Sequence, residues 1–350
     1  MRFDPAGGQL ICDHCGHTDQ IGAGPWSRSE AVRELDYKSA LASSLTESAA
    51  ETQETRISTC PNCGARVEFD PAIHATECPF CATPVVVGTG AERLIKPRAV
   101  VPFALDEGAA RQAMTGWLGS LRFAPGGLKD YARKGRKMSG VYTPCWTFDA
   151  DTASRYRGQR GIVYYETRTV TRNGKTQSMQ VPRVHWTPVS GKVARFFDDV
   201  LVVASTALPE RFRNGIAGWD LTLLEPYQPE YLAGFRAEAY TVGIKDAYGE
   251  ARATMDRQIL RDVKFDIGGD RQQVSEVETT VRNVTYKHIL VPVWLAAYKY
   301  RGKSYRFAVN GQSGQVTGDR PWSAWKIALA VLAAAILAAA AGYLYATGQQ

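Results

Sequence analysis

Cys60-Pro-Asn-Cys63 and Cys78-Pro-Phe-Cys81, with fourteen residues between them, are the stretch from which the rest of the chain is read. Two thiolates two residues apart can sit on one tight turn. Two such turns supply the four sulfur ligands of a tetrahedral zinc ion at ~2.3 Å. The spacing is that of a structural zinc ribbon, a small β module. A closed four-sulfur shell leaves no coordination position for water, so its expected role is folding energy and not hydrolysis. The rival reading takes Cys78-Pro-Phe-Cys81 alone as a glutaredoxin-type dithiol. That motif opens a helix, whereas Pro84 and Val85-Val86-Val87 suit a strand, and a second cysteine pair waits upstream.

The ribbon has an echo. A shift of 66 positions lays Phe69-Asp70-Pro71-Ala72 on Phe3-Asp4-Pro5-Ala6, and Cys78 and Cys81 on Cys12 and Cys15. The partners of that first pair would precede Met1. Residues 1–24 therefore read as a truncated half ribbon, with the natural start expected upstream. Two thiolates cannot close a zinc shell alone. His17 or a second chain could complete the Cys12/Cys15 site, or the pair is an unmetallated remnant.

At the other end, Ile327 to Ala346 is twenty residues without a charge, ten of them alanine. That length crosses a bilayer, and the ~27 Å of helix from Trp325 to Tyr343 matches the hydrocarbon thickness. Trp322 and Trp325 at one edge, with Tyr343 and Tyr345 at the other, form interfacial girdles. Arg320 and Lys326 flank the N-terminal side only, which places the N-terminal bulk in the cytoplasm and the C-terminus outside. The competing reading is a buried Ala-rich core helix. No secretory signal opens the chain.

Seven cysteines, six of them in Cys-x-x-Cys pairs, fit a reducing compartment better than a disulfide framework. The odd one, Cys145, reads as a small buried hydrophobe. The 350 residues allow two or three domains, and 45% apolar content supports a core. Net charge is +7; residues 1–56 carry five basic and nine acidic side chains, so the remainder is +11. The basic run Lys129, Arg133, Lys134, Arg136 and Lys137 is a solvated loop, or touches anionic lipid or nucleic acid.

Between the ends, residues 25–56 are expected as a polar linker, helical near Glu30 to Leu45, followed by the ribbon at 57–88. A mixed α+β domain covers 99–318, and the transmembrane helix 325–346; the fold class is multidomain α+β. Within the domain, Glu107 to Leu121 reads as a helix and strands begin at Gly161. Thr167–Arg172 and Gln177–His185 are joined by Asn173-Gly174, a two-residue hairpin signal. An apolar stripe of Ile244, Tyr248, Ala251, Met255, Ile259 and Val263 predicts a helix over 242–264. Strands return after Gly268-Gly269. Pro144-x-Trp146 and Tyr156-Arg157-Gly158 recur as Pro292-x-Trp294 and Tyr300-Arg301-Gly302, a weak internal echo. The tryptophans are expected in the core or a shallow groove.

Signatures of catalysis are thin. A Walker loop ending at Gly174-Lys175-Thr176 would need glycine where Thr169 stands. His185 and His288 are isolated in strand-like runs, and adjacent Asp198 and Asp199 on a strand point to opposite faces. No catalytic residue is assigned, and the chain is read as non-enzymatic.

Cys60-Pro-Asn-Cys-Gly64 with Phe69-Asp-Pro71, Tyr142-Thr-Pro-Cys-Trp-Thr-Phe-Asp149, Pro229-Glu-Tyr-Leu-Ala-Gly-Phe235, and Gly311, Gly314 and Gly318 before Pro321-Trp-Ser-Ala-Trp-Lys326 resemble a family of bacterial zinc-ribbon, single-span membrane proteins. Such proteins often carry primosomal, replication-restart-helicase-like or transcription-factor-IIB-like labels because of the ribbon. The resemblance implies a cytoplasmic ribbon protein tethered to the inner membrane. Relatives are often encoded beside SPFH (flotillin-like) proteins, which implies a role recruiting or scaffolding such a partner. This chain lacks the family's first Cys-x-x-Cys. The leading expectation is a membrane-anchored adaptor that binds a protein partner. The alternatives are a nucleic-acid-binding ribbon protein without helicase activity, and a membrane-surface enzyme using Cys145 or His185.

Overall fold

Alternation of polar and apolar residues over long runs makes strands of unusual length here. The computed structural model describes residues 1–22, 27–42, 52–68, 75–81, 83–86, 91–124, 138–172, 175–300, 303–320 and 322–347. The Phe69–Ala72 tetrapeptide, the basic run 129–137 and the Asn173-Gly174 turn lie outside them.

Helix α1 spans Glu107–Ser120, capped by Asp106, whose carboxylate accepts the amide of Ala109 at 2.7 Å. Strand β1, Ser139–Arg172, turns back into β2, Lys175–Val203. Helix α2 covers Ile244–Ile267, strand β3 Arg271–Tyr300, and helix α3 Ala324–Thr347. The register pairs Arg172 with Lys175, so the β1–β2 connection has two residues, as its sequence signal requires. Ala99–Val100 is already a strand of the main sheet, pairing with β3 at Ile289–Leu290, and the long strands start at Ser139, well before the Gly161 expected from sequence. The stretch 141–150 is buried on both faces and therefore shows no alternation to read.

The sheet order is β2-β1-β3, antiparallel throughout. On the β1 side, Arg236–Glu238 runs parallel to β1 and pairs in turn with Arg66–Glu68, which pairs with Thr52–Thr59 and on to Ala91–Ile95. The four-cysteine module thus extends the main sheet. Beyond β3 come Lys303–Asn310 and Val316–Gly318.

The region expected as a linker carries ordered elements. Arg28–Ala31 and Tyr37–Ala42 are short helices separated by strand Leu35–Asp36, which pairs with β3 at Thr285–Tyr286. Tyr37 is buried against Phe148 and Tyr248. One helix over Glu30–Leu45 is replaced by two because pairing with β3 satisfies the intervening backbone groups.

Helix α2 matches its expected stripe: Ile244, Ala251, Met255, Ile259 and Val263 are buried, joined by Ala247 and Ile267. It lies across β1 and β2, facing Tyr156, Val193 and Phe197. A second cluster surrounds the cysteine module, and a third is aromatic, with Phe103 stacked on Phe235 at 4.2 Å. Trp146 and Trp294 are both buried. Their indole N–H groups donate to the carbonyls of Val242 and Leu105, each at 2.9 Å. Helix α3 is long and apolar enough to cross a membrane, and none of its 19-residue apolar window is buried against the chain.

Candidate metal centre

Cys60 and Cys78 are buried and Cys63 and Cys81 half-buried, each at the start or end of a tight turn after a strand. In the first turn the amide of Gly64 donates to the carbonyl of Cys60 at 2.9 Å, and that of Cys60 to Ala65 at 2.8 Å. Gly64 sits at φ +73°, a region costly for a residue with a Cβ. The second turn repeats the long bond, Cys78 amide to Thr83 carbonyl, at 2.8 Å.

The turns bring four sulfurs together. Cys60 Sγ to Cys81 Sγ and Cys63 Sγ to Cys78 Sγ are both 3.6 Å, and all four lie within 4.8 Å of one another. A disulfide would need ~2.05 Å. A tetrahedron with 2.3 Å metal–sulfur bonds has edges of ~3.8 Å. The cluster is therefore compatible with one metal ion held by four thiolates. Without a cation such sulfurs cannot all ionise. Cys63 and Cys78 share one proton across their contact, which raises Cys63 and lowers Cys78. A metal dication replaces that shared proton.

Cys12 and Cys15 occupy a turn of the same build: Gly16 amide to Cys12 carbonyl at 2.9 Å, Cys12 amide to His17 carbonyl at 2.8 Å, and Gly16 at φ +71°. Among the described residues no third ligand group joins them. Their module docks by Phe3, which is buried against Tyr231. A fourth turn of this kind carries no cysteine. Gly314 donates to the Asn310 carbonyl and Asn310 to Gln315, both at 2.9 Å, with Gly314 at φ +76°. Asn310 Oδ1 accepts the amides of Gln312 and Ser313, as the first cysteine sulfur of the metal turns does from equivalent positions. Asn310-Gly-Gln-Ser313-Gly314 is legible against Cys60-Pro-Asn-Cys63-Gly64 once the glycine is used as the anchor.

A second cluster was not foreseen. Glu34, Asp149 and Asp199 bring carboxylate oxygens within 4.8 Å of one another. A bulge in β2 sets Asp198 and Asp199 opposite Asp149 alone; Asp199 there has φ +50°, and its amide donates to Asp149 Oδ1 at 2.7 Å. Asp199 thus turns inward while Asp198 stays exposed. Lys287 Nζ lies 2.7 Å from Asp199 and also pairs with Glu34. Burial alone would lower Lys287, but these carboxylates more than offset it and raise the ammonium. The cluster already holds its cation, an internal ammonium.

Cys145 is fully buried, which pushes its thiol up. His288 is buried with Nδ1 2.9 Å from the Ile95 carbonyl, and burial lowers it to about 4. His185 is exposed on the β1–β2 arm, so these residues do not converge on one site.

The chain is 25% identical over 235 residues to the protein described as uncharacterized protein YdjG of Bacillus subtilis (strain 168). That similarity covers 67% of this chain and 66% of the relative's own length. No family model and no solved structure matches the chain.

Proposed function

We propose that the protein is a membrane-anchored adaptor of the cytoplasmic face, in which a structural zinc ion fixes a docking scaffold and α3 holds it at the inner membrane. The carrying observation is the four-sulfur cluster with 3.6 Å edges, built into the same sheet as the core. Four thiolates close the shell, so the ion would stabilise and not catalyse; zinc is the divalent ion that favours tetrahedral sulfur. Burial of Cys60 and Cys78 in the cluster that includes Val141, Cys145 and Val203 ties the metal to the scaffold's integrity. A helix with no buried apolar window supplies the anchor. The partner is a protein, with an SPFH-type membrane protein the one suggested by the resemblance.

The test is purification of the intact chain from detergent-solubilised membranes, with zinc measured on the same sample. One zinc per chain is expected, together with a stoichiometric protein partner. Cys63→Ser should abolish the zinc and lower the melting temperature by many degrees, since structural zinc contributes several kcal/mol or more. Cys12→Ser should leave the zinc content unchanged. Metal-free protein with an unaltered melt would overturn the reading, as would a partner fully retained by Cys63→Ser.

A further inference from the structure

Only residues 319–323 lie between Val316–Gly318, the last strand, and α3. Both ends of this short connection are pinned to the domain. Asp319 accepts the amide of Arg306 at 2.9 Å and pairs with Arg211, and the amide of Ser323 donates to the carbonyl of Phe123 at 2.8 Å. Lys326, in the first turn of α3, reaches back to the Ala124 carbonyl at 2.7 Å. Phe123 and Ala124 belong to the turn that follows α1, in which the amide of Ala124 donates to the Leu121 carbonyl at 3.2 Å. That helix is itself fixed, with Met114 and Leu118 buried in the aromatic core. The start of α3 is therefore held to the end of α1 at two backbone carbonyls.

This contact sets the height of the turn. Lys326 carries the last charged side chain before the C-terminus, so the hydrocarbon of the bilayer would begin just beyond it. With the Lys326 ammonium on Ala124, the turn Arg122-Phe123-Ala124 stands at headgroup level. Phe123 is 38% exposed and its ring lies 6.3 Å from that of Trp322, which is 66% exposed; Trp325, one turn on, is 73% exposed. The bilayer interface is where such partly bare aromatic rings are favoured. Three cations surround them: Arg122, Arg320 and Lys326. Arg320 lies over the Trp117 ring at 5.6 Å. Among the described residues no carboxylate pairs with any of the three, and adjacent Asp319 is taken by Arg211.

We propose that the Arg122–Ala124 turn, together with Arg320, Trp322, Trp325 and Lys326, is a second membrane-contact surface that binds the headgroups of anionic phospholipids in the leaflet that α3 enters. The inference rests on the membrane anchoring proposed above and adds to it a lipid class and an orientation. Phe123 and Trp322 enter the interface, and the Arg122 and Arg320 guanidinium groups donate to headgroup phosphates. A zwitterionic headgroup brings no net charge, whereas an anionic one supplies the negative charge that no described carboxylate of the chain supplies here. The same contact fixes the pose of the scaffold. Helix α1 directs its C-terminal end at the bilayer, and the sheet cannot turn about α3 without lifting Phe123 out of the interface.

The experiment places the full chain in lipid nanodiscs of phosphatidylcholine, alone or with ~30% phosphatidylglycerol, and follows amide hydrogen exchange over residues 121–124. Exchange there should be several-fold slower in the anionic discs, and high salt should remove the difference by screening the headgroup charge. Arg122→Gln with Arg320→Gln should exchange alike in both discs. Phe123→Ser, which keeps the charges and removes the ring, should reduce the slowing. Unchanged exchange in α2 shows that the variants are folded. Equal exchange of the wild type in the two discs, or a lipid response retained by the double arginine variant, would overturn the headgroup assignment. The same slowing on adding duplex DNA to phosphatidylcholine discs would overturn it too, in favour of a nucleic-acid surface. A chain recovered free of the discs would instead overturn the anchoring.

Discussion

Glu238 shows what one buried carboxyl imposes on this chain. It is 3% exposed, receives a hydrogen bond from Ser205 Oγ at 2.5 Å, and leaves Oε2 without a partner among the described residues. Burial raises it from 4.5 to about 8, so it is neutral in the fold at neutral pH. A carboxyl raised in this way supports the fold fully below its unfolded value. That support is lost as pH rises toward the folded value, over roughly pH 4.5 to 8, with an upper bound of about 5 kcal/mol. Glu238→Gln keeps the shape and removes the ionisation. Thermal melts should find variant and wild type alike at pH 4 and the variant more stable by several degrees at pH 8.5. A wild type equally stable relative to the variant at both values would contradict the buried, neutral assignment. Nothing in the sequence around Glu238 marks it, because its burial depends on Ser205 and on strands far away in the chain.

At the scale of elements, helix α2 is the part that periodicity predicts best. Its apolar residues return every three or four positions because a single face meets the sheet. Met255 is wholly buried on that face, whereas Phe265 is 90% exposed. Met255→Ala should cost ~2–5 kcal/mol by denaturant melts, and Phe265→Ala less than ~0.5 kcal/mol. The turn after Lys303–Asn310 makes a second point at this scale. It reproduces the metal-binding turn with an amide oxygen in place of a sulfur, so the hydrogen-bond pattern is set by the backbone and the left-handed glycine. Metal capacity is then a matter of which side chain stands first. The segment 25–56 went the other way. Its polar composition resembled a linker, but Leu35, Tyr37 and Ala40 supply enough apolar surface to dock on β3 and α2.

For the whole molecule, the distribution of surface decides the behaviour. Ile336, Leu337 and Leu332 on α3 are 58–71% exposed, an arrangement that water does not tolerate over a whole helix. Leu332→Arg with Ile336→Arg adds ~2.5–3.5 kcal/mol each at mid-span. The doubly substituted chain should leave the carbonate-resistant membrane fraction, read by fractionation and immunoblot. Unchanged partitioning would argue against a spanning helix.

Composition and spacing alone determined the four metal-competent cysteines, the α2 stripe, the two-residue hairpin and the apolar C-terminal helix. Each is a local regularity: a ligand spacing, a helical period, a turn preference or a bilayer length. Only the tertiary structure decided that the cysteine module continues the main sheet, that Asp199, Glu34 and Lys287 meet, and that β1 and β2 continue past the start of β3. Those depend on which strands become neighbours, and strand pairing here joins residues 95 to 156 positions apart through backbone groups that every sequence shares.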